Sequence, residues 1–275
     1  LGFCIGCCAG FGVPVARYFG AGDHRTMRNY IFNGAVLTAI IAAILMIACS
    51  LSCGQILHLL SVPDDIFGNA YVYLIVIFIG IPFTLLYNYL SSILRSVGDS
   101  RTPFLFLGFS AVLNIFLDLF CIIVLKWGCM GAAIATITAQ AISGILCFFY
   151  IRGKMQLLRL EKENMIVQKD AVKELLGMGL PMGFQFSITA IGSMVMQAAN
   201  NGLGSIYVSA FTAAMRIKQF LLCPFDAIGT AASVFCSQNL GARQADRIKK
   251  GALETTIAGC IYGFSAGLIL IFFGR

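Results

Sequence analysis

Charged residues are scarce in this sequence. Only 11% of its 275 residues are Asp, Glu, Lys or Arg, whereas 59% are hydrophobic and the mean hydropathy is +0.88. A soluble domain carries about 25% charged residues, so this composition excludes an ordinary soluble fold. Long apolar runs recur along the whole chain, and each approaches the ~20 residues that cross the hydrocarbon of a bilayer. The sequence therefore predicts an all-α polytopic membrane protein.

The sequence also lacks the motifs of common enzyme classes. It contains no Gly-x-Ser-x-Gly elbow, Walker loop or His-Glu-x-x-His motif, and its two histidines, His24 and His58, lie in or near predicted loops on opposite sides. Most of its 11 cysteines fall inside apolar runs, where they behave as small apolar residues. Cys4 and Cys7 have no histidine nearby, which argues against a metal site. We predict neither an enzyme nor a bound cofactor.

Hydropathy and chain-breaking residues divide the chain into eight apolar segments, at about 1–18, 30–53, 66–92, 103–125, 129–152, 172–200, 206–239 and 252–275. If these alternate in direction, four loops share one side, namely 17–29, 93–102, 152–173 and 240–250. They carry 15 Lys and Arg residues, whereas the loops of the other side carry only Lys126. This bias predicts that the four loops are cytoplasmic. The net charge of +7 then reflects topology, so no nucleic-acid partner is predicted.

The ends of the sequence fall within or beside apolar segments. The chain starts with Leu1 rather than Met, and its first run lacks the basic start of a signal peptide. Its last residues, GLILIFFGR, stop at or near the end of a segment. We therefore expect the sequence to be part of a longer protein.

Two similar turns lie 221 residues apart. FGAGDHRTMRN contains Gly20 and Ala21, and LGARQADRIKK contains Gly241 and Ala242 in the same setting. Both turns are predicted on the cytoplasmic side, so a repeat unit that contains one of them must hold an even number of spans. The first turn follows segment one and the second follows segment seven, which gives a unit of six spans. A parallel six-span repeat is a transporter arrangement. The alternative is that any cytoplasmic loop combines Gly with Lys or Arg.

Four stretches in order resemble the multidrug and toxic compound extrusion (MATE) family of secondary transporters. They are FGAGDHRTMRN, RSVGDSRTP followed by LNIFLDLFCI, LGMGLPMGFQF after the long link, and CSQNLGARQADRIKKG. The resemblance implies twelve helices in two six-helix lobes, of which this chain would hold helices 2 to 9. Residues 1–152 would form most of the N-lobe, 153–171 a cytoplasmic link, and 172–275 part of the C-lobe.

The resemblance also implies a function. It predicts a plasma-membrane protein that exports organic cations, drugs or toxic compounds by antiport with Na⁺ or H⁺ through alternating access, acting as a monomer when full length. A flippase for lipid-linked oligosaccharides, from the same superfamily, is the first alternative. A membrane enzyme or receptor is the second.

Ionisable and polar side chains within apolar segments are costly, so they are the candidate transport residues. Asp118, with Asn114 one turn earlier, is either part of a proton or cation relay or an interhelical anchor. The family's carboxylates for ion coupling lie in helix 1 or in helices 7 and 10. The presumed helix 7 has no acid after Glu174, so the coupling ion is not assigned.

Two further segments contain candidate pathway residues. In segment seven, Arg216, Lys218 and Asp226 either face an aqueous cavity or, for the two cations, extend to the outer interface. In segment six, helical spacing places polar residues and a methionine on one stripe, which either lines a cavity or packs on a neighbour. The stripe consists of Gln185, Thr189, Ser193, Met196 and Asn200. The closing turns are predicted at Gly20, Ala21, Gly241 and Ala242.

Overall fold

The computed structural model describes residues 2–59, 62, 64–201 and 205–273. Within these residues the chain forms ten α-helices and no strand. They are α1 (Gly2–Gly20), α2 (His24–Leu51), α3 (Cys53–Leu59), α4 (Asp64–Ile79), α5 (Ile81–Ser96), α6 (Arg101–Leu119), α7 (Gly128–Lys154), α8 (Lys169–Asn201), α9 (Ser205–Gly241) and α10 (Ala245–Phe273). A π-helical turn, Phe120–Val124, extends α6, and two short 3-10 turns lie between α7 and α8. The prediction of an all-α membrane fold is confirmed.

Seven helices in the described residues are long and apolar enough to span a membrane, and the bent pair α4–α5 raises the number to eight. The eight predicted segments are therefore present, and the segment predicted at 66–92 consists of two helices. The chain bends by 45° between Ile66–Ile79 and Ile81–Ser96. Pro82 in the first turn of α5 lacks a backbone N–H, and a Cβ at Gly80 would overlap Ile137 of α7. Both residues favour a break where α7 comes close.

The helices that follow the two similar turns begin earlier than hydropathy indicates. Helix α2 starts at His24 rather than near residue 30, and α10 starts at Ala245 rather than near 252. Asp23 caps α2, because its Oδ1 accepts a hydrogen bond of 3.0 Å from the backbone N–H of Thr26. Hydrogen bonds from Thr26 also hold the pKa of the Asp23 carboxyl below its usual value. The basic residues after each turn therefore lie on helices, which hydropathy alone does not reveal.

Helix α1 lies at the centre of the described bundle and contacts α2, α5, α8 and α9. Its contact with α8 is made by small residues on both helices. A Cβ added at Gly6 would approach the Met182 carbonyl oxygen to 2.5 Å, and one at Gly10 would approach the Gly179 Cα to 2.6 Å. Such close backbone contact is how helices associate inside membranes, where no hydrophobic force drives them together.

The two similar turns have the same backbone structure. In the first, the N–H groups of residues 21, 22 and 23 donate to the carbonyls of residues 17, 19 and 18. In the second, the N–H groups of residues 242, 243 and 244 donate to the carbonyls of residues 238, 240 and 239. Every pair is displaced by 221 positions, and Gly22 (φ +73°) corresponds to Arg243 (φ +56°). Because three hydrogen bonds and a left-handed residue coincide, the two turns are structurally equivalent.

This equivalence generates a stability prediction. Replacing Arg243 with Gly should raise the free energy of unfolding by about 0.5–1 kcal/mol, because glycine adopts a positive φ without steric cost. Replacing Gly22 with Ala should lower it by about 1 kcal/mol through conformation alone, since a Cβ there has open space around it. Thermal melting of the purified full-length protein measures both changes. Gly153→Ala, in open surroundings at an ordinary φ, is the control; a Gly22→Ala melt matching this control would contradict the prediction.

Candidate functional site

The four loops predicted to be cytoplasmic meet at one end of the bundle. We call this the basic end: the end at which α1, α5, α7 and α9 finish. The Arg28 Nη1 atom lies 2.7 Å from Glu161 Oε1 in the link between α7 and α8. At the same end, the side-chain amide of Gln238 in α9 donates a 2.8 Å hydrogen bond to the Ser96 carbonyl in α5. The structure thus brings these loops together, as alternation of the segments requires.

The two glycines of the similar turns contact each other's helices at the basic end. A Cβ at Gly20 would overlap the carbonyl oxygen of Gln238, and a Cβ at Gly241 would overlap the carbonyl oxygen of Arg17. Gln238 is the residue that corresponds to Arg17 after the shift of 221 positions. Each turn therefore makes the same contact on the other, which is the pattern of a two-fold related interface. Helices α1 and α9 touch backbone to backbone here, so no space remains between them.

A charged cluster beside this crossing connects α8 to α1 and α2. Glu174, in the second turn of α8, lies 2.7 Å from the Arg17 guanidinium at the end of α1. Its other carboxylate oxygen accepts a 2.6 Å hydrogen bond from the Tyr30 hydroxyl of α2. Tyr18 adds a 3.4 Å hydrogen bond to Tyr30. One carboxylate therefore holds the start of α8 to both helices that flank the first turn.

The link between α7 and α8 is attached to α2. The Asn29 side-chain amide donates to the backbone carbonyl of Ile166 at 2.8 Å, and the Asn33 side-chain oxygen, Oδ1, accepts from the backbone N–H of Gln168 at 3.1 Å. The Arg28 side chain adds a 3.0 Å hydrogen bond to the Leu157 carbonyl. Both asparagines are buried, so these are contacts of the interior rather than of a loose surface loop.

Next to the closed crossing lies a cavity of about 300 Å³ between α1, α5, α8 and α9. Two of the predicted pathway residues, Gln185 of α8 and Asp226 of α9, line it. Arg95 of α5 also lines it, and together with Asp226 it provides the charges of the lining. The sequence interpretation counted Arg95 among the loop residues and named only Arg216 and Lys218 as deep cations. Arg95 lies in the last turn of α5, directly after an apolar segment, and this position could have indicated a cation close to the membrane interior.

The other predicted residues of α8 and α9 do not join this cavity. Thr189 and Met196 are exposed on α8, and Asn200 is half-buried nearer its end. Arg216 and Lys218 are exposed on the part of α9 away from the basic end. Of the predicted stripe and charged group, Gln185 and Asp226 are the members that line this cavity in the described part of the chain.

A second polar site lies between α6 and α7. The Asn114 side-chain amide contacts the Thr136 hydroxyl at 3.4 Å. One turn beyond Asn114, the Asp118 Oδ1 atom is buried and has no hydrogen-bond partner in the described part of the chain; the Gln140 Oε1 atom of α7 is in the same state. Unsatisfied buried oxygens are rare and call for an explanation. Sequence reasoning found Asn114 and Asp118 but missed Thr136, because a threonine in an apolar helix is unremarkable until its neighbour is known.

Carboxylate, amide and hydroxyl oxygens are the ligands that small hard cations prefer. Asp118, Asn114 and Thr136 supply these three oxygen types on two adjacent helices. The two helices therefore carry the oxygen types of a cation site, and Asn114 and Thr136 are in contact across them.

These features define a polytopic membrane protein with two bundles, α1–α7 before the link and α8–α10 after it. Matching turns of the two bundles meet at one end, with a charged cavity beside them and a polar site inside the first bundle. The MatE family profile matches residues 1–120 and 181–275 of the chain, and the chain belongs to this family. It is 34% identical over 193 residues to the "Probable multidrug resistance protein YpnP" of Bacillus subtilis, an alignment that covers 70% of this chain and 43% of that protein. The family consists of transporters rather than enzymes.

Solved structures of the same fold fit with different quality. A MATE transporter of the MOP superfamily in an outward-facing conformation superimposes with a TM-score of 0.89 at 20% identity, over 99% of this chain and 61% of that one. An inward-facing conformation of a MATE transporter gives a TM-score of 0.76 at 21% identity, over 99% of this chain and 63% of that one. The chain thus spans less than half of the YpnP relative and about three fifths of the solved transporters.

The glycine crossing generates a second prediction. Gly20→Val should destabilise the closed basic end by about 1–3 kcal/mol, because its side chain would overlap the Gln238 backbone, which cannot rotate away. We expect a lower melting temperature of the full-length protein. Gly177→Val is the matched control, since Gly177 lies in α8 with open space around it. A melting temperature of Gly20→Val that equals that of the control would show that the crossing is not required.

Proposed function

We propose that the full-length protein exports small organic molecules, organic cations and drugs among them, through the inter-bundle cavity. The observation that carries the proposal is a charged cavity bounded at one end by two equivalent turns in backbone contact. Such a cavity can exchange access from one side to the other if the two bundles rock about it. Membership of the MatE family and the name of the YpnP relative support the choice of cargo.

The closed basic end supports the assignment of this arrangement to an outward-facing state. The contacts of Gly20, Gly241 and Glu174 all lie at that end, and the better superposition is on the outward-facing fold. In the inward-facing state these contacts would have to separate. The positive-inside bias supports a cytoplasmic location for the basic end.

The two lobes in this proposal follow the link between α7 and α8. Residues 1–152 belong to the N-lobe, 153–171 to the link and 172–275 to the C-lobe. The 221-residue shift between the two turns supports this division, since equivalent turns then fall in different lobes. The protein acts as a monomer, with the cavity between lobes of one chain.

The site of Asn114, Asp118 and Thr136 is the proposed binding site for the coupling ion, Na⁺ or H⁺. An ionised carboxylate inside a membrane helix is costly without a partner, and the buried Asp118 oxygen has none among the described residues, so a bound ion would supply the missing partner. Antiport follows if this binding and the binding of cargo favour opposite-facing states, because each ligand can then shift the equilibrium by its differential affinity.

A flippase for lipid-linked oligosaccharides is less well supported. A pyrophosphate group requires several cations, whereas Arg95 is the one cation among the described residues that line the cavity, and Asp226 accompanies it.

The proposed function is tested by Asp118→Asn in reconstituted full-length protein. Asparagine keeps the size of the side chain but removes its charge, so export of a fluorescent cation driven by an imposed Na⁺ or H⁺ gradient should fall to the level of empty vesicles. Equilibrium binding of the dye should persist, because Asp118 does not line the cavity.

A purely structural role for Asp118 predicts a different result. In that case Asp118→Asn, which can still hydrogen-bond, would export normally, and only the melting temperature would respond. Asp170→Asn, an exposed acid at the start of α8, is the control for loss of one negative charge. Gradient-driven export that survives in Asp118→Asn would refute the coupling site, and wild-type protein that exports none of a broad panel of dyes would refute the function.

A further inference from the structure

The Arg95 side chain lines the cavity and forms no ion pair within the described residues. It lies in the last turn of α5, is half-buried and lines the cavity between the bundles. The ion pairs of the described residues are Arg17–Glu174, Arg28–Glu161 and Lys250–Glu254, so no carboxylate of this part of the chain lies within 4.0 Å of the Arg95 guanidinium. The cavity's acid, Asp226, belongs to another helix, α9, and forms no ion pair with Arg95.

An unpaired charge in such a place needs a reason. Transfer of a cation from water to a membrane protein interior is costly unless it finds a partner. The C-terminal end of α5 is a favourable place for positive charge, but a lysine reaching the interface would satisfy that helix end equally well. Arginine differs by its planar fork of five N–H donors, which matches the two oxygens of a carboxylate or phosphate.

The neighbours of Arg95 shape a pocket for such a group. Ser96 on the same turn uses its hydroxyl hydrogen for the Gly12 carbonyl at 2.8 Å, so it is already engaged in holding α5 to α1. Aromatic side chains, Phe186 of α8 and Phe225 of α9, form part of the remaining walls. Polar side chains, among them Gln185 and Thr230, form another part. The cavity therefore offers one anion-binding group, one cation-binding group and an aromatic surface between elements of both bundles.

We propose that Arg95 binds the anionic group, carboxylate or phosphate, of transported molecules that have an aromatic or apolar body. This inference rests on the proposed function and narrows it: the cargo includes organic acids and zwitterions, in addition to the cations that Asp226 can accept. An aromatic acid would place its anion at Arg95 and its ring against the phenylalanines.

Two dyes with one ring system separate the anion contribution from all others. Rhodamine 6G is an ethyl ester and a cation, whereas rhodamine 19 is the corresponding free acid and carries a carboxylate at neutral pH. Binding of each dye to purified full-length protein is measured by fluorescence anisotropy, for wild type, Arg95→Gln and Arg95→Lys. Thermal melting of each variant shows that it is folded.

The wild type should bind both dyes. Arg95→Gln should weaken binding of the free acid about tenfold or more and change binding of the ester less than about twofold, because only the acid uses the charged hydrogen bonds. Arg95→Lys should retain part of the affinity for the free acid, since the charge remains but the fork is lost.

The possible failures are distinguishable. A wild type that binds the ester but not the free acid overturns the inference and leaves the proposed function intact. Equal losses for both dyes in Arg95→Gln, or no loss for either, overturn it as well, because Arg95 then has a structural role or none. A wild type that binds neither dye and exports none of the wider panel overturns the proposed function together with the inference.

Discussion

The direct contact between two backbone turns is the constraint on which this structure depends. Gly20 and Gly241 allow α1 and α9 to cross without side chains between them, and any larger residue would hold the helices apart. The contact is reciprocal, so it fixes the relation between the two bundles at the basic end. The position of the cavity follows, because the helices that touch at this end can diverge away from it.

The second organising factor is the low tolerance of a membrane interior for unpaired polar atoms. Most polar groups inside these helices are satisfied locally, as when the Ser187 hydroxyl donates to the Gly183 carbonyl one turn earlier. Against this background the exceptions stand out. Two of these exceptions, the buried Asp118 oxygen and the unpaired Arg95 guanidinium, lie in different places, one within the first bundle and one between the bundles. Under the proposed function, this separation assigns ion and cargo to different sites, which are coupled through the movement of helices.

Much of the fold could be predicted from the sequence because the bilayer imposes simple rules. Apolar length identified every span, charge asymmetry grouped the loops that the structure brings together, and the Gly-Ala turns revealed a shift of 221 residues that recurs in the hydrogen bonds. The bend at Gly80 was not predicted: Pro82 is visible in the sequence, but the close approach of Ile137 comes from a helix far along the chain. Helix starts were also misjudged, since capping by a residue such as Asp23 extends a helix beyond its apolar part.

The candidate site was less predictable for a related reason. Asn114, Asp118 and Asp226 could be found because acids and amides are rare in apolar segments. Thr136 could not, because its significance comes only from its 3.4 Å contact with Asn114. Arg95 was missed because it lies at the end of a segment. There the positive-inside rule counts every Lys and Arg as a loop charge that sets the orientation of the segments. Which arginines face water and which face a cavity depends on helix rotation, and this is set by packing.

The link between the two bundles is attached to α2 of the first bundle, and this has a mechanical consequence. Hydrogen bonds from Asn29 and Asn33 hold the link between α7 and α8 on α2 as far as Gln168, and α8 begins at the next residue. A rotation of the second bundle relative to the first then changes the backbone conformation of this connection near residues 168 and 169. The Glu174 carboxylate lies one and a half turns after this position and contacts Arg17 of α1 and Tyr30 of α2. Loss of these contacts would release the first turns of α8, while the link stays attached to α2.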